Sequence, residues 1–386
     1  MSQLKVNAIR HTGASSDAVT LASDGTCTAK ITNNLSNRNL VINGAMQVAQ
    51  RGTSVTGSTS SGFKTCDRFS IGNSSLGTWT VTQESDGPDG FNKSLKTLCT
   101  TADDGSGNYI LVFHKIEAQD LQQLAYGTSN AKAMVLSFWV KSNKTGNASV
   151  ELQQQDNSDR QVTYSYNISS ANTWEKKTIS VPADTSGVIN DDNGCGIRLG
   201  WWLNSGSAGS FEGGTHRSTW TAEVNADRNV TDIGIGGAVN DYFQITGVQL
   251  EVDSTGSGIA TDFEHRSYGD ELARCQRYYQ RWAGDHAGNY GISAGYTYSN
   301  GVNTATGLNL SQPMRATPTA ENMTDTSAYV YSQGNGQPVT SVVFTGYTLN
   351  SNWVALGLAH NDVGDSNYAS TLANASNKYI ALSAEL

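Results

Sequence analysis

Along most of this chain apolar and polar side chains alternate in short runs, as in Val162-Thr163-Tyr164-Ser165-Tyr166, Lys177-Thr178-Ile179-Ser180-Val181 and Ile245-Thr246-Gly247-Val248-Gln249-Leu250. A period of two sends successive side chains to opposite faces of a sheet, so each run reads as a half-buried antiparallel strand. Forty Gly supply turns between the runs, while charged residues make up only 15% of the 386 positions. That balance argues against charged amphipathic helices and for many short strands. The expected fold is all-β.

The length suits two main domains and a shorter segment. In residues 1–37, Leu4, Val6 and Ala8 alternate with polar positions, and a Ser23-Asp24-Gly25 turn separates Val19 and Leu21 from Cys27 and Ala29. This predicts a strand followed by a hairpin, a short N-terminal β segment with too few apolar side chains to close a core. Leu4, Val6, Val19 and Leu21 are therefore expected to pair with copies of the chain or with another protein. From Asn39 the strands lengthen, which predicts a jelly-roll-type β-sandwich over residues 38–265. One linking helix is expected in residues 266–283, from Tyr268 to Trp282, because Leu272, Cys275, Tyr279 and Trp282 recur at three- and four-residue spacing opposite Arg274, Arg277 and Arg281. Leu272, Tyr279 and Trp282 should face protein, either the last domain or a neighbouring subunit. Alternation returns after Gly284 and predicts a smaller C-terminal β domain over residues 284–386. No fixed-period repeat is visible.

A net charge of −9, a pI near 5.1 and the lack of any Lys/Arg cluster argue against nucleic acid as a partner. No apolar stretch of about 18 residues suggests membrane insertion, and the start of the sequence has no basic segment leading into an apolar run. Five cysteines (Cys27, Cys66, Cys99, Cys195, Cys275) are odd in number and contain no Cys-x-x-Cys pair. Neither a disulfide framework nor a zinc site fits, and reduced, buried thiols are expected. Such a chain is expected to be assembled in a cytoplasm.

Several segments carry a resemblance: Arg38-Asn39-Leu40-Val41-Ile42-Asn43-Gly44-Ala45-Met46-Gln47-Val48-Ala49-Gln50-Arg51-Gly52, Asp67-Arg68-Phe69, Ile245 to Glu251, Phe263-Glu264-His265-Arg266-Ser267-Tyr268, and Glu271 to Tyr279. Together they resemble phage tail-fibre and minor virion structural proteins of the marine and cyanobacterial phage type. The resemblance covers residues 38 to about 281 and implies a sandwich similar to carbohydrate-binding modules, with a variable C-terminal head. It also implies a homotrimer exposed on the particle surface, with other phage tail or capsid proteins and host-surface glycan as partners. Leu4-Lys5-Val6-Asn7 looks like the virion-attachment end of such fibres. A head-decoration or tail-adaptor protein without a receptor role and a glycan-cleaving tail spike are the rival readings.

For sugar binding, alternation places Trp202 beside Arg198 and opposite Trp201, and sets Trp139 opposite Phe138. An indole stacked on a pyranose, with Arg198, Gln153 or Gln155 bonding its hydroxyls, is the candidate site. The alternative packs these tryptophans beneath loops or at a subunit interface. Sandwiches of the resembled type often hold a structural calcium, for which Asp86, Asp89, Glu251 and Asp253 are the candidate oxygen donors, with ordinary Asp-Gly turns as the alternative. No other cofactor is expected. Gly291-Ile292-Ser293-Ala294-Gly295 matches a hydrolase nucleophile motif followed by Asp325 and His360, yet it lies within one alternating strand rather than a strand-to-helix turn. Asp156, Asp159, Asp191, Asp192 and Glu212 sit in turn-rich contexts, so the chain is expected not to be an enzyme.

If the N-terminal segment is an assembly element, deleting residues 1–37 should leave a folded, soluble chain that no longer joins particles. Copy number of the truncated chain in purified particles checks this, and normal incorporation would refute it.

Overall fold

The Phe69–Glu84 strand organises the sandwich by belonging to both of its layers. Its first half pairs with Tyr109–Glu117 (Phe69 opposite His114), and its second half pairs with Ser94–Thr101 (Glu84 opposite Ser94). Between the halves the chain turns through Ser75 and Gly77, both in the left-handed region (φ 58° and 68°). A Cβ on Gly77 would lie 2.3 Å from the Thr101 carbonyl oxygen, so only glycine allows the approach. The result is a single 11-stranded sheet folded over on itself.

The computed structural model describes residues 6–15, 17–29, 37–156, 159–207, 209–254, 256–282, 290–298, 303–321, 328–332, 335–346, 351–361, 369–374 and 379–386. One layer of the sandwich contains Glu175–Val181, Met134–Ser142, Tyr242–Val252, Ser94–Thr101 and the second half of the long strand. The other contains the first half, Tyr109–Glu117, Cys195–Asn204, Gly146–Gln154, Arg160–Ile168 and Thr221–Ala222. Phe138 joins the layers by meeting Tyr166 and Trp201 edge to face, with ring centroids 5.2 and 5.6 Å apart. Around them pack Leu136, Val140, Val150, Leu152, Ile197 and Leu199, all buried. The all-β class and the inward direction of Trp201 are as the alternation requires.

The N-terminal segment is a three-stranded antiparallel sheet of Ala8–Ile9, Val19–Leu21 and Cys27–Ala29. None of its described residues from 6 to 27 is buried, and Val6, Ile9 and Leu21 are exposed. Leu4 lies outside the described residues. Cys27 is exposed, which corrects the expectation of uniformly buried thiols, whereas Cys66, Cys99 and Cys275 are buried.

The expected helix is shorter than its spacing suggested. It runs from Tyr268 to Gln276, capped by Ser267 Oγ accepting from the Asp270 N–H, and Tyr279–Trp282 is a strand paired with Ile380–Ser383. A free strand edge offered by the end of the chain outweighs the helical spacing of Tyr279 and Trp282. Tyr279 is wholly buried within its own chain, which removes it as a subunit contact, while Leu272 and Trp282 are half-buried. Beyond them the strands Tyr290–Tyr298, Asn303–Asn309, Trp353–His360, Asn335–Gly346, Ala328–Ser332 and Ala369–Asn374 close into a barrel. Its core contains Leu308, Val330, Val339, Val354, Leu356, Leu358 and Leu372. No helix among the described residues is long and apolar enough to cross a membrane.

The motif segments, distant in sequence, meet where the sandwich joins the chain end. The Asn43 side-chain amide donates to the carbonyls of Val48 and Asp67 (both 2.9 Å), and its backbone N–H donates to Glu271 Oε1 (2.6 Å). Asn39 Nδ2 donates to the Val248 carbonyl, and Arg266 donates to the carbonyls of Asn39 and Val41. Arg68, 1% exposed, pairs with Glu385, donates to the Lys115 carbonyl (2.7 Å) and lies 3.4 Å over the Tyr278 ring. Arg51 reaches the other Glu385 oxygen (3.1 Å) and covers Tyr279. Arg277 holds Glu117 through two bonds of 2.8 Å. Burial pushes the Asp67 carboxyl up to about 6, against the hydrogen bonds from Gln50.

Removing one partner of a buried ion pair strands the other charge, at a cost of about 3–5 kcal/mol. Glu385→Gln should therefore lower unfolding stability by that order, through Arg68. Urea unfolding measures it, and an unchanged midpoint would show that the pairing contributes nothing.

Candidate functional site

The outward face of the second layer brings together most of the side chains expected to bind sugar. Arg198 lies directly opposite Gln153 on the neighbouring strand, and Trp202 and Gln155 flank them. Period-two geometry aims these side chains away from the core. The face is nevertheless not open. Segment 209–234, between two long strands, folds over it and leaves Trp202 2% exposed.

Phe211 from this segment packs 5.1 Å from Trp202, Tyr109 sits 5.8 Å away on the same face, and the Arg228 guanidinium lies 5.2 Å over the indole. Glu151, fully buried, is the centre. It accepts from Arg228 Nε (2.8 Å), Arg198 Nη2 (3.2 Å) and Trp202 Nε1 (3.2 Å). Arg228 also reaches Glu223 at 3.3 Å, whose carboxyl burial pushes upward. Gln155 donates to Gln153 at 3.1 Å. Trp202 and Arg198 are thus engaged by the chain itself, which corrects the roles expected for them, Trp202 as a stacking surface and Arg198 as a donor to sugar hydroxyls. A neutralised, desolvated ion cluster of this kind fastens a loop to a sheet. Glu151 and Arg228 were missed in the sequence because Glu151 looks like any solvent-facing alternate and Arg228 lies in a segment without strand pattern.

Trp139 belongs to the other layer. It is half-buried against Gly247, where an added Cβ would sit 2.8 Å from the indole, so it shares no site with Trp202. The calcium candidates also separate. Asp86 pairs with Lys141 (2.6 Å), whose hydrogen bond holds its carboxyl below the usual range, and accepts from Gln244. Glu251 accepts from Thr261 (2.6 Å) and Asp253 from Gly258 (2.8 Å). Gln244 and Glu251 are seven positions apart on one strand, roughly 20 Å, so the two groups do not form one site as expected. Asp89 is exposed. Among the described residues no three His, Cys, Asp or Glu converge as a metal site would need.

Ser293 lies mid-strand with its hydroxyl 2.8 Å from Thr306 Oγ1, while His360 bonds Thr304 at 3.0 Å; Asp325 lies outside the described residues. Asp156, Asp192 and Glu212 each accept a backbone N–H of a nearby turn. The exposed large aromatics are concentrated late in the chain: Tyr268, Tyr296, Tyr298 and Trp353. Among the described residues of the sandwich, the exposed large apolar side chains are aliphatic, such as Val188, Val224 and Val239.

No family model matches the sequence, and no curated protein sequence does. Solved structures similar in outline include the enzymatically active domain of bacteriophage CBA120 tailspike protein 4, at 14% identity and TM-score 0.32, covering 55% of this chain and 21% of that one. A CBM4 structure is 13% identical, TM-score 0.29, covering 55% and 98%. A family 11 carbohydrate-binding module of Clostridium thermocellum is 12% identical, TM-score 0.28, covering 51% and 95%. The chain therefore spans about a fifth of the tailspike chain.

Since Trp202 is packed rather than presented, Trp202→Ala should cost about 3–5 kcal/mol and open segment 209–234 to proteases. Thermal unfolding and limited proteolysis measure both. A variant that melts as wild type does would restore Trp202 as a surface side chain.

Proposed function

We propose that this chain is a structural appendage of a phage particle, a tail fibre or fibre-like protein. It docks through its N-terminal segment, assembles as a homotrimer and contacts host-surface glycan without cleaving it. The observation that carries this reading is the meeting of the fibre-like motifs. Asn39, Asn43, Arg51, Asp67, Arg68, Arg266, Glu271 and Tyr278 lie far apart in sequence yet interlock in one buried junction. Residues that resemble a family and also build one contiguous unit support a shared scaffold better than scattered similarity would.

Two further features support the assignment of ends. The N-terminal sheet buries none of its described residues from 6 to 27, so its apolar side chains need a second chain to cover them. The exposed aromatics gather after residue 267, and side chains with an apolar face and a polar edge suit contact with an external ligand. Repetition on a particle multiplies weak contacts, since linking modules raises avidity by roughly a hundredfold or more.

Antibody labelling of whole particles should mark a tail or fibre position, and the assembled protein should bind host-envelope polysaccharide while releasing no reducing ends. Label confined to the capsid shell would favour the decoration reading. Release of reducing ends would favour a depolymerase.

A further inference from the structure

A groove of ≈ 630 Å³ lies on the C-terminal barrel, bounded by Trp353 and Trp282, with Gly307, Asn309, Ser293 and Ala355 among its lining. We propose that this groove is a binding site for a neutral pyranose, with Trp353 as the stacking platform. The proposal rests on the glycan-contact reading above and gives it a place on the molecule.

Trp353 begins the Trp353–His360 strand and pairs directly with Asn309, while Gly307 pairs with Ala355 on the same outward face. Leu308, Val354 and Leu356, which alternate with them, are buried in the barrel core. The indole is 49% exposed, so one of its faces is open. Its edge lies across Gly307, where an added Cβ would come within 2.1 Å of Nε1 and 2.5 Å of Cε2. Absence of a side chain at Gly307 therefore lets the ring rest on the neighbouring strand. A ring held in this way loses little freedom when a ligand stacks on it.

The chemistry of the lining selects the ligand. None of the described residues that line the groove is charged, in a chain of net charge −9. An anionic sugar or phosphate would find no cation among them. A neutral hexose offers an apolar C–H face to the indole and hydroxyls to the Asn309 amide across the strand pair, a few polar groups orienting a ligand held mainly by apolar contact. The groove size suits one or two sugar rings rather than a protein segment.

The test uses the full-length oligomer, with glycan arrays carrying neutral and anionic oligosaccharides and with purified host-envelope polysaccharide. Wild type should bind neutral glycans, and Trp353→Ala should weaken binding about tenfold or more with melting temperature and oligomeric state unchanged. Gly307→Ala is the second variant. Its backbone has no left-handed φ, so the added methyl displaces the indole without straining the strand, and binding should fall as it does in Trp353→Ala. Host-glycan binding that survives both variants overturns this site while leaving the appendage reading intact. Exclusive binding of anionic glycans overturns it too, as does dissociation of the oligomer by Trp353→Ala, which would make the groove a contact between copies. If wild type binds no host-envelope glycan, the glycan-contact reading itself fails and this site falls with it.

Discussion

The buried guanidinium of Arg68 is the constraint around which the rest of the molecule is arranged. A charge 1% exposed cannot be left alone in a protein interior, and it recruits the Glu385 carboxylate, the Lys115 carbonyl and the face of Tyr278. Those partners come from a sandwich strand, from the segment after the helix and from the end of the chain. Satisfying one charge therefore brings the two halves together. The backbone there is unusual, with Asn43, Met46 and Arg68 all at positive φ (60°, 56° and 70°). Conformations of that kind cost free energy and persist where surrounding bonds over-determine them, as the Asn43 and Arg68 bonds do.

This junction also explains why its residues read as a signature. Asn43 must supply both donors and an acceptor within a turn, Arg68 must fork between an acid and a carbonyl, and the Tyr278-Tyr279 pair must present rings to two guanidinium groups. Few other side chains meet such demands, whereas an alternating strand accepts many apolar residues. A motif of this sort reports on architecture. It locates no ligand.

The sandwich and the barrel differ in what they leave open. On the sandwich, segment 209–234 brings its own aromatic ring and its own arginine to the polar face, so Phe211 and Arg228 occupy the space over Trp202 that a ligand would need. On the barrel, Trp353 lies across Gly307 and keeps a face to solvent. A tryptophan on a strand is thus a binding platform or a structural plug according to what lies above it.

Sequence alone determined the all-β class, many of the strands and which side of a strand faces the core, as with Trp201 inward and Trp202 outward, while strands such as Ser54–Phe63 and Ser94–Thr101 carried no pattern clear enough to read. What was legible follows from a period of two and from turn residues, both of which are local. The weakness of the N-terminal segment was equally legible, because too few apolar side chains are present to bury. Only tertiary structure decided whether an outward face meets solvent: nothing near Trp202 in sequence announces Phe211 or Arg228. The helix shows the same division, since Leu272 to Trp282 carries helical spacing but Tyr279–Trp282 finds the Ile380–Ser383 strand some hundred residues later and pairs with it instead. Covering a face and pairing an edge are contacts between distant segments. Their energies depend on neighbours that a local pattern does not contain.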